Sequence, residues 1–319
     1  MSIRQLTLRQ LRIFESVAVE RSFSRAAERL HMTQPGVSMH VRDLEARAGL
    51  PLIERLGRRC DLTEAGRELL DAARNVSRAL EEAQQRIDAL QGLRRGRLDI
   101  AVISTAKYFA PRLLAAFQTR YPAASIRLAV SNRTQVIDQL NENQVDLAIM
   151  GRPPEGSEMI ATAFADNPQV VVAPPDHPLV AATSIDPARV VEERFLVREP
   201  GSGTRLTMER FFRDAGVAAP AGMEMASNET IKQAVMAGMG LSFLSRHTIH
   251  LEIETGRIAV LDVRGLPIVR HWHVAHRADK RLMPIAEAFR RFALSEGAEL
   301  LAAGVDRRRP PPKKRAPSR

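Results

Sequence analysis

Residues Ser22–Glu45 read SFSRAAERLHMTQPGVSMHVRDLE. Two short helices joined by a tight turn account for this pattern. Ser22 or Ser24 can cap the first, and Ala26, Ala27 and Leu30 give it an apolar face. Thr33 is a good N-cap for the second, with Pro35 in the first turn, where a missing N–H costs nothing. Val37, Val41 and Leu44 then recur at helical spacing. The opposite face is expected to expose Gln34, Ser38, Met39 and Arg42 near a positive helix N-terminus, which suits insertion into a DNA groove. An ordinary αα-hairpin with a solvated polar face fits the same residues, so the flanks must decide.

The flanks complete a small domain. Residues 7–20 form another amphipathic helix, with Leu8, Leu11 and Val17/Ala18 expected to cover the hairpin. Gly49 ends the second hairpin helix as a C′ glycine. Leu50-Pro51-Leu52-Ile53 packs beneath, and Glu54–Leu62 reads as a β-hairpin whose Gly57 turn carries Arg55, Arg58 and Arg59. Such a wing can reach the minor groove or the phosphates. Residues 1–62 hold eleven Lys/Arg against seven Asp/Glu, which puts positive charge where DNA needs it.

Thr63 caps the next helix. Along it Leu69, Ala73, Val76, Leu80, Ala83, Ile87 and Leu90 recur alternately four and three apart, the 3.5-residue period of a coiled-coil seam. This helix, 63–94, is expected to link the domains and to pair two copies of the reader, as a symmetric DNA site requires.

From residue 95 to 306 strands alternate with helices, an α/β arrangement. Two similar sets of elements follow one another, with an echo at matching places: Ser131-Asn132-Arg133-Thr134 and Ser227-Asn228-Glu229-Thr230. Two facing lobes are the expectation, lobe I about 95–166 and 272–306, lobe II about 167–271. The strongest ligand signal is Arg198-Glu199-Pro200-Gly201-Ser202-Gly203-Thr204-Arg205, between a strand and a helix. Its glycines, hydroxyls and amides can bind an oxyanion at the helix start, with Arg198 and Arg205 adding charge. It is not a Walker A loop. Ser104, Thr105, Lys107, Asn132, Thr134, Arg152, Asn228, Glu229 and Thr230 sit at other strand ends or helix starts expected to converge on the same cleft. A carboxylate or phosphate ligand fits this set.

Composition limits the alternatives. The net charge of +10 is uneven, because the Pro-rich tail 307–319 holds seven basic residues and no acid. That tail is expected to be disordered. The single cysteine, Cys60, excludes an internal disulfide. The start lacks the apolar run of a signal peptide, and the expected location is the cytoplasm. No GxSxG, HExxH or paired-carboxylate signature stands out, so no catalytic residue is assigned. His271, His273 and His276 around Trp272 lack a companion ligand set, so no metal site is expected. A sugar-phosphate enzyme or a solute-binding protein of the same α/β fold is the alternative reading.

Over nearly its whole length the chain resembles the LysR-type transcriptional regulators. Ser24-Arg25-Ala26-Ala27, Thr33-Gln34-Pro35 and Ser38 match that family's winged helix-turn-helix. Within the family, residues 103–111, 150–154, 198–205 and 227–240 are similar to the CbbR-type regulators of carbon-dioxide-fixation operons. The resemblance implies a type 2 periplasmic-binding-protein-like effector domain behind the reader. It also implies DNA contacts from Ser24, Arg25, Thr33, Gln34, Pro35, Ser38, Met39 and Arg42, and a homodimer or homotetramer. Activation of Calvin-cycle genes through RNA polymerase is implied too. There would be no bound cofactor, but a metabolite effector such as ribulose bisphosphate, phosphoenolpyruvate or NADPH. One departure is Met39, where many family members carry Arg or Gln, which shifts expected base readout to Gln34, Ser38 and Arg42.

Overall fold

The computed structural model describes residues 6–56, 59–90, 96–154 and 156–305. Contacts divide the chain into two units, residues 1–91 and 92–319.

In the first unit, α1 (Leu8–Glu20) opens on a capping box: Thr7 Oγ1 accepts from the Gln10 amide, and Gln10 Oε1 accepts from the Thr7 amide. Its buried stripe is Ile13, Phe14 and Val17, whereas Leu8 is 45% exposed, contrary to expectation. Leu8 lies in the first turn, before the helix reaches the core. Ser22 caps α2 (Phe23–Arg29), and Thr33 caps α3 (Gln34–Ala48), which stops at Gly49 with φ 72°. Ala26, Ala27, Val37 and Val41 close with Ile13 and Val17 over buried Cys60. Strands β1 (Ile53–Leu56) and β2 (Arg59–Leu62) pair antiparallel as the wing. The turn residues Gly57 and Arg58, and the side chains of Arg55 and Arg59, lie outside the described residues. Glu45 holds the wing's base, its carboxylate accepting from the amides of Leu52 (2.9 Å) and Ile53 (3.2 Å). Thr63 caps α4 (Glu64–Leu90) through the Gly66 amide.

The second unit is built on one nine-stranded sheet. Its first lobe contains β3 (Gly96–Ile103), α5 (Ala110–Arg120), β4 (Ala124–Ser131), α6 (Arg133–Asn141) and β5 (Leu147–Met150), with β4, β3 and β5 parallel. Then β6 (Met159–Ala173) leads into the second lobe: α7 (Pro187–Val190), β7 (Phe195–Arg198), α8 (Gly203–Asp214), β8 (Met223–Met225), α9 (Asn228–Met236), β9 (Leu241–Ser245), α10 (His250–Glu254) and β10 (Ala259–Val260). Strand β11 (Ile268–Arg277) returns, and α11 (Pro284–Val305) closes the first lobe. The order is β4-β3-β5-β11-β6-β9-β7-β8, with β10 on β6.

Two elements differ from the sequence reading. The sequence pattern predicts a closing helix over Leu282–Leu294, whereas α11 spans Pro284–Val305. The larger difference is β6, since the sequence pattern predicts strands at 146–150 and 195–198 and none between them. Asp166-Asn167-Pro168 reads as a turn and hides it, yet β6 pairs antiparallel with β11 over ten positions. Both strands traverse both lobes: Phe164, Ala165, Trp272 and Val274 lie in the first core, while Val171, Ala173 and Ile268 pack in the second.

Candidate functional site

Helix α3 presents the candidate DNA face. Gln34, Pro35, Met39 and Arg42 are exposed, as are Ser24, Arg25 and Thr33, and no acid stands in its first turn. Met39 is 55% exposed, a large apolar side chain left open on this face. Ser38 is a correction. It is 3% exposed because it follows Val37 on the stripe that α3 buries, and its Oγ accepts from Arg42 Nη2 at 3.3 Å. Ser38 therefore lies off the exposed face of α3, where its hydroxyl holds Arg42. Arg25 donates to the Glu20 carbonyl and, with Arg29, pairs with the Glu20 carboxylate, which ties α2 to the end of α1.

On α4 the predicted seam has two parts. Ala73 is buried and Leu69 half-buried, Leu69 packing against Phe14, Leu44 and Leu52 of the reader's own core. Val76, Leu80, Ala83 and Ile87 are exposed. Four apolar or small residues on one helix stripe are thus open to a second helix. The Leu90 side chain lies outside the described residues.

In the second unit a small cavity of about 40 Å³ opens between the lobes. Sequence reasoning placed Thr105, Arg152, Gly203 and Thr204 there, and all four line it. Its floor comes from the crossing strands. Asn167 and Gln169 lie two apart on β6, and Arg270 and Trp272 two apart on β11. Arg270 stands opposite Asn167 in register, so alternation turns all four to one face. The α8 N-terminus supplies another wall: Ser202 holds the N-cap position but makes no side-chain cap bond, which leaves first-turn amides free.

Three arginines line this space, half-buried Arg133 and Arg270 and exposed Arg152. Arg133 Nη2 donates to the Arg152 carbonyl at 3.1 Å, and Arg270 Nη1 to Thr207 Oγ1. None of the three is ion-paired with a carboxylate among the described residues. Burial pushes the pKa of Arg133 and Arg270 down, and Arg270 is lowered further by the charges of Arg133 and Arg210. Guanidinium does not deprotonate in proteins. The arrangement therefore holds uncompensated positive charge beside a helix N-terminus, the electrostatic requirement for an anion. Arg133, Asn167, Gln169, Thr207 and Arg270 were not anticipated. The signal for Arg133 lay in the Ser131–Thr134 echo; that for Arg270 depended on β6, which the sequence concealed.

The remaining predicted residues are elsewhere. Arg198 is 4% exposed and fully engaged: it grips Glu199 at 2.7 Å with two nitrogens, donates to Asn228 Oδ1, and reaches Ser104 Oγ at 3.2 Å. Asn228 Nδ2 in turn donates to Thr105 Oγ1 at 3.5 Å. These side chains tie the second lobe to the first and do not offer a free cation to a ligand. Arg205 is spent on Glu209 (2.9 Å), Glu224 (2.8 Å) and the Arg198 carbonyl. Those hydrogen bonds keep its guanidinium pKa up. Glu229 accepts from Tyr108 Oη and pairs with Lys232, which lowers its pKa. Lys107 lies over the Tyr108 ring, Asn132 caps α6, and Thr134 and Thr230 are exposed. His271 pairs with Asp166 at 3.5 Å; among the described residues no group of three His, Cys, Asp or Glu could hold a metal. No described helix is long and apolar enough to cross a membrane.

Comparison with known proteins accords with this geometry. The model of the bacterial regulatory helix-turn-helix protein, lysR family, matches residues 8–67, and that of the LysR substrate binding domain matches residues 91–298. The RuBisCO operon transcriptional regulator of Allochromatium vinosum is 52% identical over 295 residues, 92% of this chain and 98% of its own. The regulatory domain of Synechocystis PCC6803 CcmR, solved in complex with 2-PG, is 42% identical. It covers 63% of this chain and 96% of its own, with a TM-score of 0.60. Full-length CbnR, complexed with its target DNA, shares the fold at 22% identity, covering 90% of this chain and 99% of its own, with a TM-score of 0.70. These matches are to transcription regulators, and the enzyme and solute-capture alternative gives way. The chain belongs to the LysR family of helix-turn-helix transcription regulators.

Proposed function

We propose that this regulator controls a RuBisCO operon in response to a small anionic metabolite bound between the lobes of its second unit. The observation that carries the reading is that Arg133, Arg152 and Arg270, without carboxylate partners among the described residues, line the cavity at the free N-terminus of α8. A regulator of a RuBisCO operon 52% identical over 92% of the chain supports the target. A neighbour solved with 2-PG supports a small anion. Gln34, Met39 and Arg42 would meet the bases, the exposed part of the α4 seam would pair two readers, and RNA polymerase would be the downstream partner. Thr105 lines the cavity and also accepts from Asn228 of the tie between the lobes. An anion drawn onto Thr105 would thus alter the lobe angle, and through it the bend of the bound DNA.

Titration of the full-length protein with 2-PG, phosphoenolpyruvate and ribulose bisphosphate, alongside footprints on the operon promoter, tests this. Binding of at least one, a changed footprint, and loss of both in Arg270→Met support it. A footprint unaltered by every saturating titrant overturns the sensing role.

A further inference from the structure

The polar lining of the cavity offers donors in Arg133, Arg152, Arg270 and the first-turn amides of α8. One fixed acceptor interrupts them. Gln169 on β6 is 2% exposed, lines the cavity, and carries a buried Oε1 with no hydrogen-bond partner among the described residues. Its orientation is determined by its other end. Gln169 Nε2 lies 2.8 Å from Asn167 Oδ1 and 3.3 Å from the Asn167 backbone carbonyl. A carbonyl oxygen only accepts, so the atom facing it must be the amide nitrogen. Asn167 Oδ1 also accepts from Ser245 Oγ at 2.7 Å, which leaves Asn167 with its Nδ2 as a further donor. Ser245 stands opposite Gln169 in the β6–β9 register, so this chain of bonds is built into the sheet. Turning the Gln169 amide over would set two oxygens against each other and strand the nitrogen instead.

A buried acceptor without a donor is costly. A ligand made only of anionic oxygens would satisfy the arginines and worsen the position of Gln169 Oε1. An ammonium donor would be repelled by the three guanidinium groups around it. A neutral O–H serves both demands. We infer that the effector is a small phosphorylated hydroxy acid, whose anionic groups engage the arginines and the α8 N-terminus while a hydroxyl donates to Gln169 Oε1. This rests on the reading of the cavity as the effector site, and it adds Gln169 as the residue that discriminates among anions of equal charge.

Calorimetric titration of the full-length protein with two matched acids tests it. The acids are 3-phosphoglycerate and 3-(phosphonooxy)propanoate, which lacks only the C2 hydroxyl; inorganic phosphate is the third titrant. The hydroxylated acid should bind about tenfold more tightly, the scale of one buried hydrogen bond whose absence strands its partner. Gln169→Met removes the acceptor at similar length and should erase that ratio, whatever it does to the affinity for both acids alike. Equal affinity of the unmodified protein for the two acids, with both bound, overturns the inference and leaves the anion site standing. The same holds if Gln169→Met keeps the tenfold ratio. Failure of all three titrants to bind overturns the reading of the cavity itself. The comparison in the unmodified protein stands whether or not the variant folds.

Discussion

Arg198→Met separates a ligand anchor from a structural tie. The side chain is almost fully buried and makes four hydrogen bonds, to Glu199, Asn228 and Ser104. Methionine keeps the aliphatic stem but strands the Glu199 carboxylate and the Asn228 oxygen. Asn228 is 2% exposed and cannot turn to water; Glu199, at 20% side-chain exposure, recovers part of its hydration. Removing one partner of a buried ion pair costs about 3–5 kcal/mol. For a unit of this size, each kcal/mol moves Tm by about 2–4 °C, so a fall of roughly 6–20 °C is expected. Arg205→Ala provides the contrast, since its partners Glu209 and Glu224 are 39% and 50% exposed. Screened pairs of that kind contribute about 0–1 kcal/mol. Scanning calorimetry of the full-length protein without effector reads both. An Arg198→Met transition within 2 °C of the unmodified protein, as inferred from the same scale, combined with lost anion binding, would refute the tie and restore Arg198 as an anchor.

His247 gives a pH dependence. Burial, reinforced by His250 and Arg246, lowers its pKa from 6.5 to about 4. Trp272 Nε1 donates to its Nδ1 at 3.2 Å, which requires the neutral ring. Between pH 6.5 and 4 the unfolded chain takes a proton that the folded chain refuses, so stability is complete above 6.5 and falls by about 3 kcal/mol toward pH 4. Urea unfolding against pH should lose much of that slope in His247→Gln; an unchanged slope would assign it to other groups. Leu80→Glu puts charge at the open part of the α4 seam, where Leu80 is 44% exposed. Sedimentation should show dissociation with little change in Tm, and an unaltered oligomer would move the interface elsewhere. Gly66→Ala would place a Cβ 2.0 Å from the Leu52 carbonyl oxygen. Because backbone must shift, the reader should lose at least about 1–3 kcal/mol, the range for overpacking, together with DNA affinity; an unaffected Tm would contradict the packing of α4 on the wing.

The reader was legible almost throughout because its signals are local. Caps at Ser22, Thr33 and Thr63, the stop at Gly49 and the Val37–Val41–Leu44 stripe each depend on residues a few positions apart, and all appear as read. Ser38 failed for a related reason: it was read as a small polar residue, although it adjoins the stripe that the helix buries. The effector unit was legible as alternating strands and helices but not as a site. Its cavity floor joins Asn167 to Arg270 across the sheet, a pairing a hundred residues apart in the chain and partly hidden by Pro168.

The matching echoes show most sharply what separates the two kinds of arginine. Ser131–Thr134 and Ser227–Thr230 both begin helices, with the N-cap on Asn132 in the first and on Ser227 in the second. The third position decides their roles. Arg133 turns into the cavity, whereas Glu229 takes up Tyr108 and Lys232 and joins the lobes. A local difference likewise separates Arg198 and Arg205 from Arg133 and Arg270. Arg198 has Glu199 beside it, and Arg205 has Glu209 one helical turn on, so each finds its counter-charge locally. Arg133 and Arg270 have no acidic residue within four positions on either side. A cation with a carboxylate at hand folds onto it at little entropic cost, and its charge is then spent. One without such a neighbour keeps its charge when the fold buries it, and only an anion from outside can balance it.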